Sequence, residues 1–234
     1  MSIPLLVRFS SVARAATPPF VLLMMGGCSG ADVLAGRNDD ARTGANLQET
    51  VLTPQLLARG GFGLLFTHDV EGFIYAQPLI VSGVQTSSGK RNLLVVTTTA
   101  NKLYALDADS PVVIWQHDLS GSGVLPDDPI GIQMVDTRVG ILSTPVIDKA
   151  GDSVYVISRT REMSEGRPQH IQRIHRFQLS SGVLKGSADI CSGIAVNGIS
   201  FDTENQVNRP GLALVNGMVV VMWGQPRRAM SADG

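Results

Sequence analysis

The chain has 234 residues, 44% of them hydrophobic and 17% charged, with a formal net charge of −1. That hydrophobic content excludes global disorder, and the balanced charge offers none of the basic patches or stripes that nucleic acid calls for. The 25 glycines and 12 prolines suit a chain of many short strands joined by many turns.

The first segment, residues 1–28, reads as an export signal. It contains Arg8 and Arg14, no acidic residue, a short apolar core from Phe20 to Met25, and two small residues, Gly26 and Gly27, before Cys28. The apolar core is too short to span a bilayer. Met25-Gly26-Gly27-Cys28 resembles a bacterial lipobox, which implies that Cys28 is a lipid attachment site. Three readings stay open at this point: a lipid-anchored exported protein, a cleaved soluble exported protein, and a start that carries no leader. The second cysteine, Cys191, forms no metal-ligand spacing with Cys28. If Cys28 carries lipid, Cys191 is expected as a buried thiol at a strand end.

Residues 29–60 are polar and turn-rich and read as a loop or linker. Within them Thr53-Pro54-Gln55-Leu56-Leu57 predicts one short helical turn, with Thr53 as its cap and Pro54 at the first helical position. From residue 61 to 224 the pattern is β-like. Ile74 to Val81 reads as an entry strand and Ser87-Ser88-Gly89-Lys90 as a turn. Asn92 to Thr98 is a continuous apolar and β-branched run, the pattern of a strand covered on both faces. Lys102 to Asp107 and Val112 to Leu119 follow. The series then repeats: Thr144 to Asp148, Ser153 to Ser158, a longer hairpin loop over 161–168, Gln169 to Leu179, and a fourth strand beginning near Ser180 to Lys185. A third round offers Gly211 to Leu214, an Asn216-Gly217 hairpin signal, and Met218 to Trp223. Residues 225–234 carry no strand pattern.

Each round opens on a proline, at Pro78, Pro145 and Pro210, spaced 67 and 65 residues apart. A period of that size built from four short strands predicts an all-β fold made of four-stranded antiparallel propeller blades, at about 72–119, 140–190 and 208–224. Because a propeller takes about four to eight blades, the expectation is a partial, unclosed propeller of about two and a half blades. It carries the further expectation of a truncated member of a longer family whose unpaired blade edge invites self-association.

Tyr104-Ala105-Leu106-Asp107-Ala108-Asp109 followed by Ile114-Trp115 resembles the repeat of pyrroloquinoline-quinone-type (PQQ) β-propellers. A wider run resembles the N-terminal part of large exported bacterial proteins carrying such repeats, over roughly residues 37 to 224. It comprises Arg42 to Asn46, Glu49-Thr50, Leu52-Thr53, Phe62-Gly63 and Tyr75 to Leu79. The resemblance implies that Trp115 is a packing residue docked between neighbouring blades. In quinoprotein dehydrogenases of this type the quinone lies between a tryptophan and two adjacent cysteines, beside a Ca²⁺ held by Glu, Asn and Asp oxygens. This sequence has no adjacent cysteines and no recognisable counterpart of the calcium or base residues, and fold alone does not transfer chemistry.

Other candidates read as structural. His170 and His175 are five apart on one strand and so lie on opposite faces, which disfavours a shared metal. Asp127-Asp128 and Asp39-Asp40 read as solvated loop carboxylates. Ser143-Thr144 and Ser158 have no nucleophile context, and no phosphate-binding glycine loop is present. The expectation is therefore no catalytic, cofactor-binding or metal residue. The function expected is a non-catalytic exported scaffold that binds a protein or glycan partner, with membrane contact only through lipid at Cys28. The alternative is a fragment of a PQQ-dependent oxidoreductase, which would need the quinone and Ca²⁺.

Overall fold

The structure, a computed structural model, describes residues 2–6, 32–39, 41–47, 49–60, 62–121, 138–190, 195–196 and 199–224. Cys28, Cys191, Asp127-Asp128 and the tail 225–234 lie outside the described residues. Two antiparallel sheets of four strands dominate. The first blade runs β3 (Leu79–Thr86), β4 (Gly89–Thr97), β5 (Lys102–Asp107) and β6 (Val113–Asp118), each strand paired with the next in chain order. The second runs β7 (Val146–Asp148), β8 (Ser153–Ser164), β9 (Arg167–Gln178) and β10 (Leu184–Ile190) in the same up-and-down order. A third unit follows as the hairpin of β13 (Ala213–Val215) and β14 (Met218–Val220). Short pieces complete the inventory: β1 (Ser2–Leu6), α1 (Pro54–Ala58), β2 (Leu64–Asp69), β11 (Ala195–Val196) and β12 (Ile199–Ser200). The fold is a partial β-propeller, all-β apart from α1, which is the sole helix among the described residues.

The blades stack through their faces. Leu79 and Val81 of β3, Leu93 and Val95 of β4, and Leu103 and Ala105 of β5 are buried against Val154 and Val156 of β8 and Phe177 and Leu179 beside them. Each fully buried aliphatic side chain contributes about 1.5–3 kcal/mol, so this interface is a major source of stability among the described residues. The alternate residues Leu94, Val96, Tyr104 and Leu106 point the other way and are covered by Val70 and Ile74. The apolar run at 92–98 is thus covered on both faces. The far side of the second blade carries Val146 and Ile157, which pack with Leu212, Leu214, Val219, Val221 and Trp223 of the third unit.

The helix forms at Pro54 with Thr53 as its cap, the Leu56 N–H donating to Thr53 Oγ1 at 3.2 Å. Several boundaries differ from the sequence reading. The entry strand begins at Leu79 rather than Ile74, because the preceding residues bond elsewhere: the Thr99 N–H donates to the Phe73 carbonyl and the Gln77 N–H to Thr144 Oγ1. The expected hairpin loop at 161–168 is strand almost throughout, since β8 and β9 pair continuously out to Ser164↔Arg167. The linker expected over 29–60 is bound to the blades through residues 33–42. Residues 2–6 of the expected leader pair with β2, Ser2 opposite Asp69 and Leu6 opposite Leu64.

Candidate functional site

The openings of the three repeats meet at one place. Gln77, before Pro78, donates its N–H to Oγ1 of Thr144, the residue before Pro145. The Thr144 carbonyl accepts from the N–H of Leu212, two residues after Pro210 at the third opening, at 2.9 Å. A proline supplies no N–H at each opening, and the residues on either side carry the hydrogen bonds that join one blade to the next.

A strap from residues 32 to 42 runs across these openings. Val33 exchanges two backbone hydrogen bonds with Ile80 of β3, at 2.8 and 3.2 Å, and the Leu34 carbonyl accepts from Ile147 of β7 at 2.8 Å. Asp32 holds the strap at one end: its carboxylate accepts from the Ser82 N–H and hydroxyl, both 2.7 Å, and from Lys149 Nζ at 2.5 Å. Burial raises the Asp32 carboxyl, but the Lys149 and Ser82 hydrogen bonds outweigh it and the group lies below the usual carboxylate range. At the other end the Arg42 guanidinium donates to the carbonyls of Gly36 (2.6 Å) and Leu212 (3.0 Å). The strap therefore covers the free edges of β3 and β7, which would otherwise expose unpaired backbone groups.

Between the two complete blades lies a ladder of rings. Trp115 of β6 is buried, donates its indole N–H to the Leu179 carbonyl at 2.9 Å, and stacks toward Phe177 with ring centroids 6.4 Å apart. It sits between the blades, with Gly182 against its ring: a Cβ on Gly182 would fall 2.7 Å from the indole. His117, two residues along the same strand, stacks on Phe177 at 4.6 Å and bonds the Gly182 carbonyl at 2.6 Å.

His175 extends this ladder on β9. Its Nε2 bonds Ser158 Oγ of β8 at 2.9 Å and its Nδ1 bonds Ser187 Oγ of β10 at 2.8 Å, so one imidazole links three strands. Burial, aided by the charge of Arg173, pushes its pKa down to about 4. Ser158 and the imidazole are both buried, and their hydrogen bonds tie β8, β9 and β10 together. His170 lies on the opposite face of β9 and shares no partner with His175.

The feature the sequence reading missed is an arm. The first blade ends its β4–β5 hairpin at residues 98–101, and the Asn101 side chain there donates to the Arg159 carbonyl at 2.8 Å, which marks the same level on β8. Beyond it β8 and β9 continue as a two-stranded hairpin for five more residues on β8, an extension of about 17 Å at ~3.4 Å per residue. Its base is fixed: Gln172 donates to the Gln206 carbonyl (2.6 Å) and accepts from the Trp223 indole (2.7 Å), and Arg159 donates to the Glu204 carbonyl (2.8 Å). Arg173 ties Glu162 on β8 to Asp189 on β10. The tip turns through Glu165 and Gly166, both at positive φ (51° and 75°), the geometry of a type I′ turn. Arg161, Met163, Arg167, Pro168 and Gln169 are all exposed, Met163 by 70%.

Among the described residues no group of three or more His, Cys, Asp or Glu side chains is placed to hold a metal ion. An open polar hollow lined by Gly151, Asp152, Ser153, Arg176, Gln178 and Lys185 has its carboxylate already engaged, since Asp152 accepts from Gln178 and Ser180.

No family model matches the sequence, and no curated protein matches it. Among solved structures, the crystal structure of BamB from Moraxella catarrhalis is similar over 70% of this chain and 51% of that one, at 12% identity and a TM-score of 0.33. This chain thus spans about half the length of that structure.

Proposed function

We propose that this chain, once residues 1–27 with their β1 pairing are cleaved away, is a non-catalytic propeller-type scaffold, exported and held at the cell envelope through lipid on Cys28, and that a protein or glycan partner docks on the β8–β9 arm. The observation that carries the reading is the arm itself. Among the described residues its tip side chains, Arg161, Met163 and those from Glu165 to Gln169, are exposed, while its base is anchored to both neighbouring units. An exposed methionine between two exposed arginines, on a hairpin held rigid at its root, presents an apolar contact inside a charged rim, the composition that recurs in interfaces.

Cys28 and Cys191 are far apart in this sequence, so the chain does not itself supply the adjacent cysteine pair that covers the quinone in the dehydrogenases it resembles. The residues present do not fit the group, and no chemistry is routed through it.

A photo-crosslinking side chain placed at Met163 in the producing cell tests the docking claim. The expected result is a discrete adduct that is lost when Arg161 and Arg167 are both changed to Glu. An equal adduct from position Val183, an exposed residue on the outer rim of the second blade, would remove the arm's special role. Failure of the 163 probe to give any adduct would remove the claim itself.

A further inference from the structure

We propose that lipid on Cys28 sets the phospholipid surface against the end of the blades that carries the β3–β4 turn, and holds the β8–β9 arm pointing away from it. This rests on the lipid at Cys28 proposed for the chain, and adds the direction in which the scaffold presents its arm.

The tether is short. Four residues of chain lead from Cys28 to Asp32, and four residues reach at most about 14 Å. Asp32 is itself held to the blades by Ser82 and Lys149, so the lipid-bearing residue stays within that radius of a fixed point.

Both blades place that point at the same end. Lys149 belongs to the turn between β7 and β8. The Leu179 N–H donates to the Asp152 carbonyl of that turn, which brings the β9–β10 connection beside it. In the first blade Ser82 is followed by Gly83, whose N–H donates to Asn92 Oδ1, and the Asn92 carbonyl accepts from Ala108, where β5 turns toward β6. The β4–β5 connection at 98–101 and the arm lie at the opposite end.

Two other placements are out of reach. From Ser153, next to the turn that holds Lys149, β8 runs eleven residues to Ser164 at the arm tip, about 37 Å at ~3.4 Å per residue. With the arm end down, a tether of about 14 Å would drive the outer arm into the bilayer. Arg161, Glu165 and Arg167 would enter with it, and charged side chains inside hydrocarbon are costly. With the outer strands down, β6 lies four strand spacings from the strap, about 19 Å at ~4.8 Å each, again beyond the tether.

With the turn end down, the β3–β4 hairpin leads. It extends five residues beyond Ser82, to Ser87, about 17 Å. That length is comparable to the reach of the tether, so the tip meets the headgroup layer. From Ser82 to Arg91 the hairpin carries Lys90 and Arg91 and no acidic residue, the sign that an anionic lipid surface attracts.

The test uses the lipidated full chain, isolated from producing cells and placed in phosphatidylethanolamine–phosphatidylglycerol vesicles with a nitroxide on the lipid headgroup. A fluorescent amino acid replaces Ser88, Val183 or Met163 in turn, and emission is compared with that in vesicles free of nitroxide. The expected order is a strong loss at 88, a smaller loss at 183 on the outer rim of the same end, and none at 163. Loss at 163 that equals or exceeds that at 88 overturns the proposal, and so does no loss at 88. A loss at 88 that persists in Cys28→Ser overturns it too, since lipid on Cys28 would then not set the contact.

Mass spectrometry of the same preparation keeps the two claims apart. An N-terminal peptide that begins at Cys28 and carries a diacylglyceryl group is expected. A chain without that group removes the lipid reading and this orientation together. The group present, with quenching at 163, overturns the orientation alone.

Discussion

Lowering the pH from 7 toward 5 should destabilise this protein, with His175 as the main cause. The folded state holds its pKa at about 4 against 6.5 for the free side chain. Burial favours the neutral ring, and Arg173 adds a like charge, while Asp189 opposes the shift weakly. The unfolded chain takes up a proton near pH 6.5 and the folded chain does not until about pH 4. The stabilisation is therefore fully present above pH 6.5 and is lost as pH falls through the interval below it. At 1.36 kcal/mol per pKa unit the full interval corresponds to about 3 kcal/mol, a large share of the 5–15 kcal/mol that holds an ordinary domain together.

The assay is urea unfolding at pH 7.5, 6.5, 5.5 and 5.0, where the carboxylates remain largely ionised. Wild-type stability should fall by about 1–2 kcal/mol across this range, with most of the loss below pH 6. His175→Gln keeps an amide between Ser158 and Ser187 and should flatten the curve, at the cost of some stability at pH 7.5. His170 is also held low by burial, so a His170→Gln control identifies its smaller share. A wild-type curve flat from 7.5 to 5.0, or an unchanged slope in His175→Gln, would show that protonation of His175 does not set the acid stability.

Four further outcomes follow from the geometry. Trp115→Ala should cost about 3–5 kcal/mol by cavity formation, and Trp115→Phe about 1–3 by leaving the Leu179 carbonyl unpaired, both read by denaturant midpoint. Gly182→Ala should also destabilise, because φ is 73° and its Cβ would meet the Trp115 ring; wild-type stability in that variant would contradict the packing. Asp32→Ala should loosen the strap by about 1–2 kcal/mol and speed tryptic cleavage after the exposed Arg37, with Arg42→Ala doing the same from the other end. Glu165→Asn, which creates an Asn-Gly turn where both residues need positive φ, should raise hydrogen-exchange protection at the arm tip with little change in melting temperature.

How much of this was legible in the sequence depends on the residue. Asn92 to Thr98 announced a doubly covered strand because almost every position is apolar or β-branched, and Trp115 was marked by the repeat that surrounds it. Thr53 and Pro54 signalled a cap and a helix start directly. The arm left no such mark. Arg161-Glu162-Met163-Ser164 has no apolar face, because both faces of a projecting hairpin meet water, and Glu165-Gly166 is a weaker turn signal than Asn-Gly. The strap was illegible for a different reason. Asp32, Val33, Leu34 and Arg42 find their partners at Ser82, Lys149, Ile80, Ile147 and Leu212, and no local pattern encodes pairing across so long a stretch of chain. His175 read as a structural polar residue on the face of the strand opposite His170; only the folded sheet brings Ser158 and Ser187 to its two nitrogens.

The two complete blades stack face to face around the Trp115 indole. Nuclear Overhauser contacts from the Trp115 indole protons test that arrangement most directly. Cross-peaks to the Phe177 ring, Leu179 and Gly182, more than 60 residues away in sequence, are predicted. An indole N–H that shows contacts only within residues 102–118, or that exchanges freely with solvent, would contradict it.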